Sequence, residues 1–311
     1  MTLLKNELSR RQFLQTSAAA SLMLSSVPGF ALAAESTVIK KTIPSSGERL
    51  SVIGLGTSRT FDVDSDQAVT SPLMAVMQAF FDNGGQLIDS SPMYGSAEAV
   101  TGALVNKATN KQDLFTATKV WTYGKRDGIE QMERSMQRMG VDQIDLMQIH
   151  NLRDWQIHID TLVDWKAQGR IRYIGITTSH GRYHQDLEEL MQQLPLDFVQ
   201  FSYNIQNRTA EQRLLPIARE RGIATLINRP YQRGSLFRKV KGKSLPTWAA
   251  DIDCASWGQF FLKFIAAHPG VTCIIPATSK LKHMVDNMAA GYGRLPDEPT
   301  RQRMIKLIET L

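Results

Sequence analysis

Eight short apolar runs, each followed by a stretch with helical periodicity, fill most of the chain after residue 50. The runs lie at residues 52–57, 87–89, 114–119, 144–149, 171–176, 198–202, 223–227 and 271–275. They are nearly continuous in apolar character, as strands buried on both faces are. Between them, apolar and charged residues alternate with helical spacing over about residues 65–83, 96–108, 129–139, 157–168, 183–193, 211–221, 254–267 and 281–288. Strict alternation of strand and helix dictates an α/β fold with a parallel sheet. Eight such units predict a closed (β/α)8 TIM barrel. An open doubly wound sheet uses the same units but normally opens on a glycine-rich turn. Gly54-Leu55-Gly56 lacks the third spaced glycine, so the closed barrel is favoured. An N-terminal hairpin is expected over residues 38–50, turning at Ser45-Ser46-Gly47. C-terminal extra helices complete the barrel, the last over residues 300–309.

The first 34 residues do not follow this pattern. Lys5, Arg10 and Arg11 precede a mildly apolar stretch rich in Ala and Ser, which closes on Ala31-Leu32-Ala33. That is the order of a secretory signal, with cleavage expected near Ala33 or Ala34. Ser9-Arg10-Arg11-Gln12-Phe13-Leu14-Gln15 resembles the twin-arginine export signal of bacteria, with Gln15 where a lysine is frequent. The resemblance implies the twin-arginine export machinery as a partner and a periplasmic protein exported folded, cofactor in place. The expected organisation is a signal peptide over residues 1–34 and a single barrel domain over 35–311.

The barrel segment is long enough to bury a substantial core. Cleavage removes three basic groups (Lys5, Arg10, Arg11) and one acidic group (Glu7), so the net charge of +6 becomes +4. The excess suits an anionic cofactor, but no basic stripe or reading helix argues for nucleic acid. No further apolar run reaches transmembrane length, so no stable transmembrane segment is expected. Cys254 and Cys273 read as two separate small core residues. No Cys–His cluster, His-Glu-x-x-His or calcium-loop pattern occurs, so no metal site is expected.

Four polar residues end or follow successive apolar runs: Asp89, Tyr94, Lys119 and His150. In a barrel those ends share one mouth. Each has a plain structural alternative, Asp89 as a helix cap or Lys119 as an exposed strand end. All four in order on one side of the barrel favour a shared site that moves a proton at a carbonyl.

These residues carry a family resemblance. Asp89-Ser90-Ser91-Pro92-Met93-Tyr94-Gly95-Ser96-Ala97-Glu98 follows the Asp–x4–Tyr-Gly–x2–Glu pattern of the aldo-keto reductases, nicotinamide-dependent (β/α)8 barrels. Lys119 and His150 stand at the strand ends the family requires. Further matches are the 169–175 segment, Gln200-x-x-Tyr203-Asn204, and the 268–276 segment from His268-Pro269-Gly270 to Pro276. The resemblance implies reduction of a small carbonyl substrate, an aldehyde or ketone, with NADPH or NADH. Tyrosine is a reluctant acid near neutrality. An ammonium at Lys119, held by Asp89, would lower its pKa. Tyr94 would then protonate the carbonyl oxygen while His150 orients it.

The resemblance also locates a cofactor site, with departures. Thr177-Thr178 stands where the family has a Ser-Asn carboxamide clamp, and Gln200 matches its carboxamide-binding glutamine. Asn228, Arg229, Pro230, Arg233, Gly234 and Ser235 look like its pyrophosphate loop, with Asn228 where many members stack an aromatic. Thr278, Ser279, His283 and Asn287 resemble its adenosine-phosphate segment. There Ala277 and His283 replace a usual lysine and arginine, removing fixed positive charge near a 2′-phosphate. Met93, Trp121, Tyr123 and Tyr203 are candidates for an apolar mouth. The cofactor-loop departures also admit an exported nucleotide-binding or accessory barrel without robust reductase activity.

Overall fold

The computed structural model describes residues 37–64, 67, 71–179, 181 and 183–311. The export signal expected over residues 1–34 lies outside the described residues. The chain from Thr37 onward opens with β1 (Lys40–Thr42) and β2 (Arg49–Ser51), an antiparallel pair with Lys40 opposite Ser51. Gly47 at the turn adopts φ 78°, a conformation that favours glycine.

Eight parallel strands follow: β3 (Leu55–Gly56), β4 (Leu87–Asp89), β5 (Phe115–Val120), β6 (Ile144–His150), β7 (Ile171–Thr177), β8 (Phe198–Ser202), β9 (Ala224–Asn228) and β10 (Cys273–Ile274). Each pairs with the next in chain order. Parallel bridges Ile53–Ile274 and Gly56–Ala277 join the first strand segment to the last, which closes the sheet into the expected barrel. Closure depends on glycine. A Cβ at Gly54 would come within 2.8 Å of the Leu87 carbonyl oxygen, and one at Gly56 within 2.8 Å of the Ile275 carbonyl oxygen. These two glycines let β3 approach its neighbours.

Among the described residues, the α-helices are α1 (Pro72–Asp82), α2 (Ala97–Lys107), α3 (Lys125–Met139), α4 (Trp155–Ala167), α5 (His184–Gln193), α6 (Leu214–Arg221), α7 (Ser235–Lys239), α8 (Trp257–Ala266), α9 (Leu281–Ala289) and α10 (Glu298–Thr310). Several start away from the positions periodicity suggests, and the caps say why. Ser71 accepts the Leu73 N–H and Pro72 opens α1, whereas the start expected near residue 65 lies outside the described residues. Ser256 accepts the Gln259 N–H, which leaves Cys254 ahead of α8. Asp297 caps α10 from the Thr300 N–H and sets its start at Glu298. Both cysteines are free and buried.

Successive strand residues face opposite sides. Ile88, Met147, Ile149, Ile174, Ile176, Val199, Phe201 and Ile227 belong to the outer core shared with the helices. The alternate positions face inward and form layers. At the N-terminal end lie Leu87, Phe115, Tyr173 and Phe198, in one cluster with Ile43 and Leu50 of the hairpin. The hairpin therefore plugs that end. Its turn is pinned by Tyr173, whose hydroxyl lies 2.8 Å from Ser46 Oγ and 2.7 Å from Glu48 Oε2. Arg172 adds ion pairs to Glu48 and, at 2.6 Å, to Asp145. With the hairpin packed at that end, the inward-facing residues at the other end line the mouth. Gly56→Val should lower stability by about 1–3 kcal/mol, the usual cost of overpacking. A chemical-denaturation midpoint equal to that of the parent would refute this account of closure.

Candidate active site

The last inward layer before the mouth is polar. Asp89 on β4, Lys119 on β5, Gln148 and His150 on β6, Thr177 on β7, Gln200 on β8 and Asn228 on β9 are all buried. Lys119 Nζ donates to Asp89 Oδ2 at 2.6 Å and to the Ser90 carbonyl oxygen at 2.6 Å. The other Asp89 oxygen accepts from Gln148 Nε2 at 2.9 Å and Gln200 Nε2 at 3.0 Å. Gly175 leaves room for this layer, since a Cβ there would meet Gln148 Cγ at 3.0 Å.

Tyr94 follows β4 and precedes α2. Lys119 Nζ lies 5.2 Å from its ring centroid. The His150 ring meets it edge-on, with centroids 5.8 Å apart. Glu98 of the same motif anchors α2 beneath Tyr94, for its buried carboxylate accepts from Thr118 Oγ1 on β5 at 2.6 Å. Asp89, Tyr94, Lys119 and His150 therefore share one site. Asp89, Tyr94 and His150 line a cavity of about 770 Å³, and Lys119 lies fully buried beneath it.

The electrostatics correct one expectation. Burial pushes the Tyr94 phenol up more than the Lys119 charge and hydrogen bond pull it down, so its net shift is upward. The phenol is held protonated, as a proton donor must be. Burial opposes the charge on Lys119, but Asp89 and then Tyr94 outweigh it and hold the ammonium above its ordinary value. His150 is lowered to about 3 by burial, then by Lys119 and Arg153, so it is a neutral imidazole.

Of the proposed cofactor residues, Thr177, Gln200, Asn228, Arg229, Pro230, Arg233, Gly234 and His283 line the same cavity. Thr178, Ser235, Thr278, Ser279 and Asn287 do not. Ser235 Oγ donates to the Gln232 carbonyl, and Thr278 Oγ1 accepts the Lys280 N–H where α9 begins. Asn287 accepts from the Tyr231 hydroxyl at 2.5 Å. Ser279 is exposed, and Thr178 is buried with no hydrogen-bond partner for its hydroxyl among the described residues. Gln200 is already occupied. Its amide nitrogen serves Asp89 and Gln148, and its oxygen accepts from Thr177 and Asn228 at 3.3 Å each. His283 is lowered by burial, then by Lys282 and Lys280, so it supplies no fixed positive charge.

The loop after β9 holds Arg229, Gln232 and Arg233 at φ 51°, 49° and 53°, a left-handed conformation uncommon outside glycine. Asn204 fixes it by donating to the Arg229 carbonyl at 3.1 Å and Gln232 Oε1 at 2.9 Å.

Met93 lines the cavity, but the other mouth candidates do not. Tyr203 is fully buried outside the site, where it bonds to Glu211 and accepts from Arg301 at 2.8 Å. Trp121 and Tyr123 stack on the Arg153 guanidinium, at 4.3 and 4.6 Å. Sequence reasoning missed Gln148, Ser91 and the loop after β3, whose Thr57, Arg59 and Asp62 line the cavity. Gln148 was detectable as a polar residue two positions before His150 in an apolar strand. Tyr231, Ser179 and Phe237 also line the cavity without having been singled out. Among the described residues, no group of three or more His, Cys, Asp or Glu could hold a metal ion, and no helix is long and apolar enough to cross a membrane.

A closed barrel with a buried lysine–aspartate pair behind a tyrosine, and a neutral histidine beside it, defines a class of oxidoreductase barrels. The aldo/keto reductase family model matches residues 52–303, and the chain belongs to that family. Aldo-keto reductase str7 of Strobilurus tenacellus is 24% identical over 261 residues, covering 72% of this chain and 77% of that protein. Methylglyoxal reductase YeaE of Escherichia coli (strain K12) is 26% identical over 260 residues, covering 80% and 89% respectively. An aldo/keto reductase structure from Klebsiella pneumoniae, in complex with NADP and acetate, matches with a TM-score of 0.73 at 22% identity. It covers 87% of this chain and 96% of that one, a likeness of fold.

The histidine environment carries a pH prediction. The unfolded imidazole titrates near 6.5, whereas folded His150 titrates near 3. Between those values the unfolded chain binds more protons, so stability is present above about pH 6.5 and lost as pH falls. The urea midpoint of the parent should therefore drop more steeply from pH 7 to 4.5 than that of His150→Gln. Parallel curves would show that His150 is not held neutral by the fold.

Proposed function

We propose that the barrel reduces a small aldehyde or ketone to the alcohol, with NADPH or NADH as the reductant and Tyr94 as the proton donor. The observation that carries this reading is the 2.6 Å Lys119–Asp89 pair buried behind Tyr94, with His150 at its edge. When bound, the nicotinamide cofactor supplies hydride to the carbonyl carbon. The residues present fit such a group. Among the described residues three arginines line the cavity, and two of them, Arg229 and Arg233, stand in the loop after β9, suited to phosphate. Thr177 and Asn228 would hold the nicotinamide end, and Arg229 and Arg233 the phosphates.

Tyr94 gives its proton to the carbonyl oxygen. Lys119 faces the phenolate that forms and stabilises it, and Asp89 keeps the ammonium charged and in place. Neutral His150 orients the same oxygen. An accessory barrel without reductase activity has no use for a fully buried ammonium aimed at a tyrosine, which favours the enzyme. Methylglyoxal, named for the Escherichia coli relative, is a first substrate to assay.

Tyr94→Phe should lower turnover on a small aldehyde by about 100-fold to 10,000-fold, the usual worth of proton-transfer catalysis. Its cofactor affinity should stay within a few-fold of the parent, because the lost hydroxyl is not needed to fill the site. Equal turnover in two folded proteins would assign the proton to another group.

The reading extends to location. Arg10 and Arg11 ahead of a weakly apolar, cleavable segment support folded export through the twin-arginine machinery to the periplasm. Such export would deliver the barrel with cofactor already held in its mouth. Cell fractionation with N-terminal sequencing should find a shortened periplasmic form beginning after Ala33 or Ala34. A full-length chain confined to the cytoplasm would contradict export.

A further inference from the structure

Ser91 lies two residues past Asp89 and is fully buried, yet it is none of the four groups assigned to the reaction. Its Oγ sits 2.9 Å from His150 Nδ1 and accepts the Met93 backbone N–H at 3.2 Å. The hydroxyl has no other hydrogen-bond partner among the described residues. His150 lines the cavity, and its Nε2 has no hydrogen-bond partner among the described residues.

A hydroxyl brings one hydrogen to this contact, and a neutral imidazole brings one ring hydrogen. Two arrangements are open. If Nδ1 holds the ring hydrogen, Oγ accepts both from Nδ1 and from Met93. The hydroxyl hydrogen is then buried with no acceptor. If the hydroxyl donates to Nδ1, Oγ still accepts from Met93, every buried group is satisfied, and the ring hydrogen sits on Nε2. A buried polar hydrogen without an acceptor is costly, so the second arrangement wins.

We infer that Ser91 is a positioning residue that fixes His150 as the Nε2–H tautomer, so that the imidazole presents a hydrogen-bond donor to the cavity. The use of that donor rests on the carbonyl-reductase reading. An N–H there binds a carbonyl oxygen and binds it more strongly as the oxygen gains negative charge. A bare ring nitrogen in its place would set one lone pair against another. The other ring nitrogen decides which form is present, as in histidines whose tautomer is set by a partner. Alanine at position 91 would leave Nδ1 without that partner, whereas threonine retains the hydroxyl.

The test is 15N nuclear magnetic resonance of the full chain labelled at histidine, at pH 7, with His150 assigned through His150→Gln. The parent and Ser91→Thr should show a protonated Nε2 and an Nδ1 that accepts a hydrogen bond. Ser91→Ala should lose the accepting signature at Nδ1 and mix the two tautomers. Its kcat on a small aldehyde should fall about five- to tenfold, the worth of one ordinary hydrogen bond. Its KM for cofactor should not change, and Ser91→Thr should restore kcat. A parent spectrum with protonated Nδ1 overturns the inference. So does a Ser91→Ala protein with the parent's spectrum and the parent's kcat. If Ser91→Ala does not fold, the parent spectrum alone decides. A parent with protonated Nε2 that binds cofactor yet reduces no carbonyl upholds the tautomer and removes the reductase reading instead.

Discussion

A lysine with no solvent exposure sits at the bottom of the barrel mouth, and the organisation of the site follows from the need to keep it charged. Taking an ammonium and a carboxylate out of water costs several kcal/mol per ion, so a buried pair survives only with its remaining donors and acceptors satisfied. Lys119 spends one hydrogen on Asp89 and one on the Ser90 carbonyl, with its remaining side toward Tyr94. Asp89 spends its second oxygen on Gln148 and Gln200. Gln200 then recruits Thr177 and Asn228. One ion pair thus organises residues from β4, β5, β6, β7, β8 and β9 into a single polar layer.

That layer explains why the tyrosine and the histidine behave differently from their free side chains. Both are in an environment that penalises charge, so the phenol stays protonated and the imidazole stays neutral. In the proposed reaction the fixed positive charge of Lys119 matters most at the moment Tyr94 would give up its proton, for it would then face a phenolate. The site therefore holds both groups in the protonation state the proposed reaction would start from. The sealed opposite end, where the hairpin meets Phe115, Tyr173 and Phe198, gives this layer a rigid floor.

Much of this was legible in the sequence because it rests on periodicities. Alternating strand and helix gave the barrel, and strand ends placed Asp89, Lys119 and His150 on one side. What was not legible depends on which face of a strand a residue takes and on how loops close. Gln148 hides in an apolar run, although counting back two residues from His150 puts it inward. Tyr203 read as a mouth residue because it follows β8. The structure turns it outward into the Glu211–Arg301 network, where its burial serves α10. Gly54 and Gly56 entered the sequence reading only as an incomplete glycine pattern, and the closing bridges reveal their steric role. Helix starts were misjudged where Ser256 and Asp297 act as caps, because a cap is a geometric fact as much as a residue type. The cofactor loop resisted reading most, since its path runs through three left-handed non-glycine residues.

The central claim is that this layer of side chains supports direct hydride delivery to a carbonyl carbon. It is tested by incubating the protein with dinucleotide deuterated at the transferable position of the nicotinamide and a small aldehyde, then locating the label in the product by mass spectrometry and proton resonance. The account predicts one deuterium on the former carbonyl carbon and a solvent-derived proton on the oxygen. Alcohol formed without label at that carbon, or folded cofactor-bound protein that forms no alcohol from any small aldehyde or ketone, would contradict it.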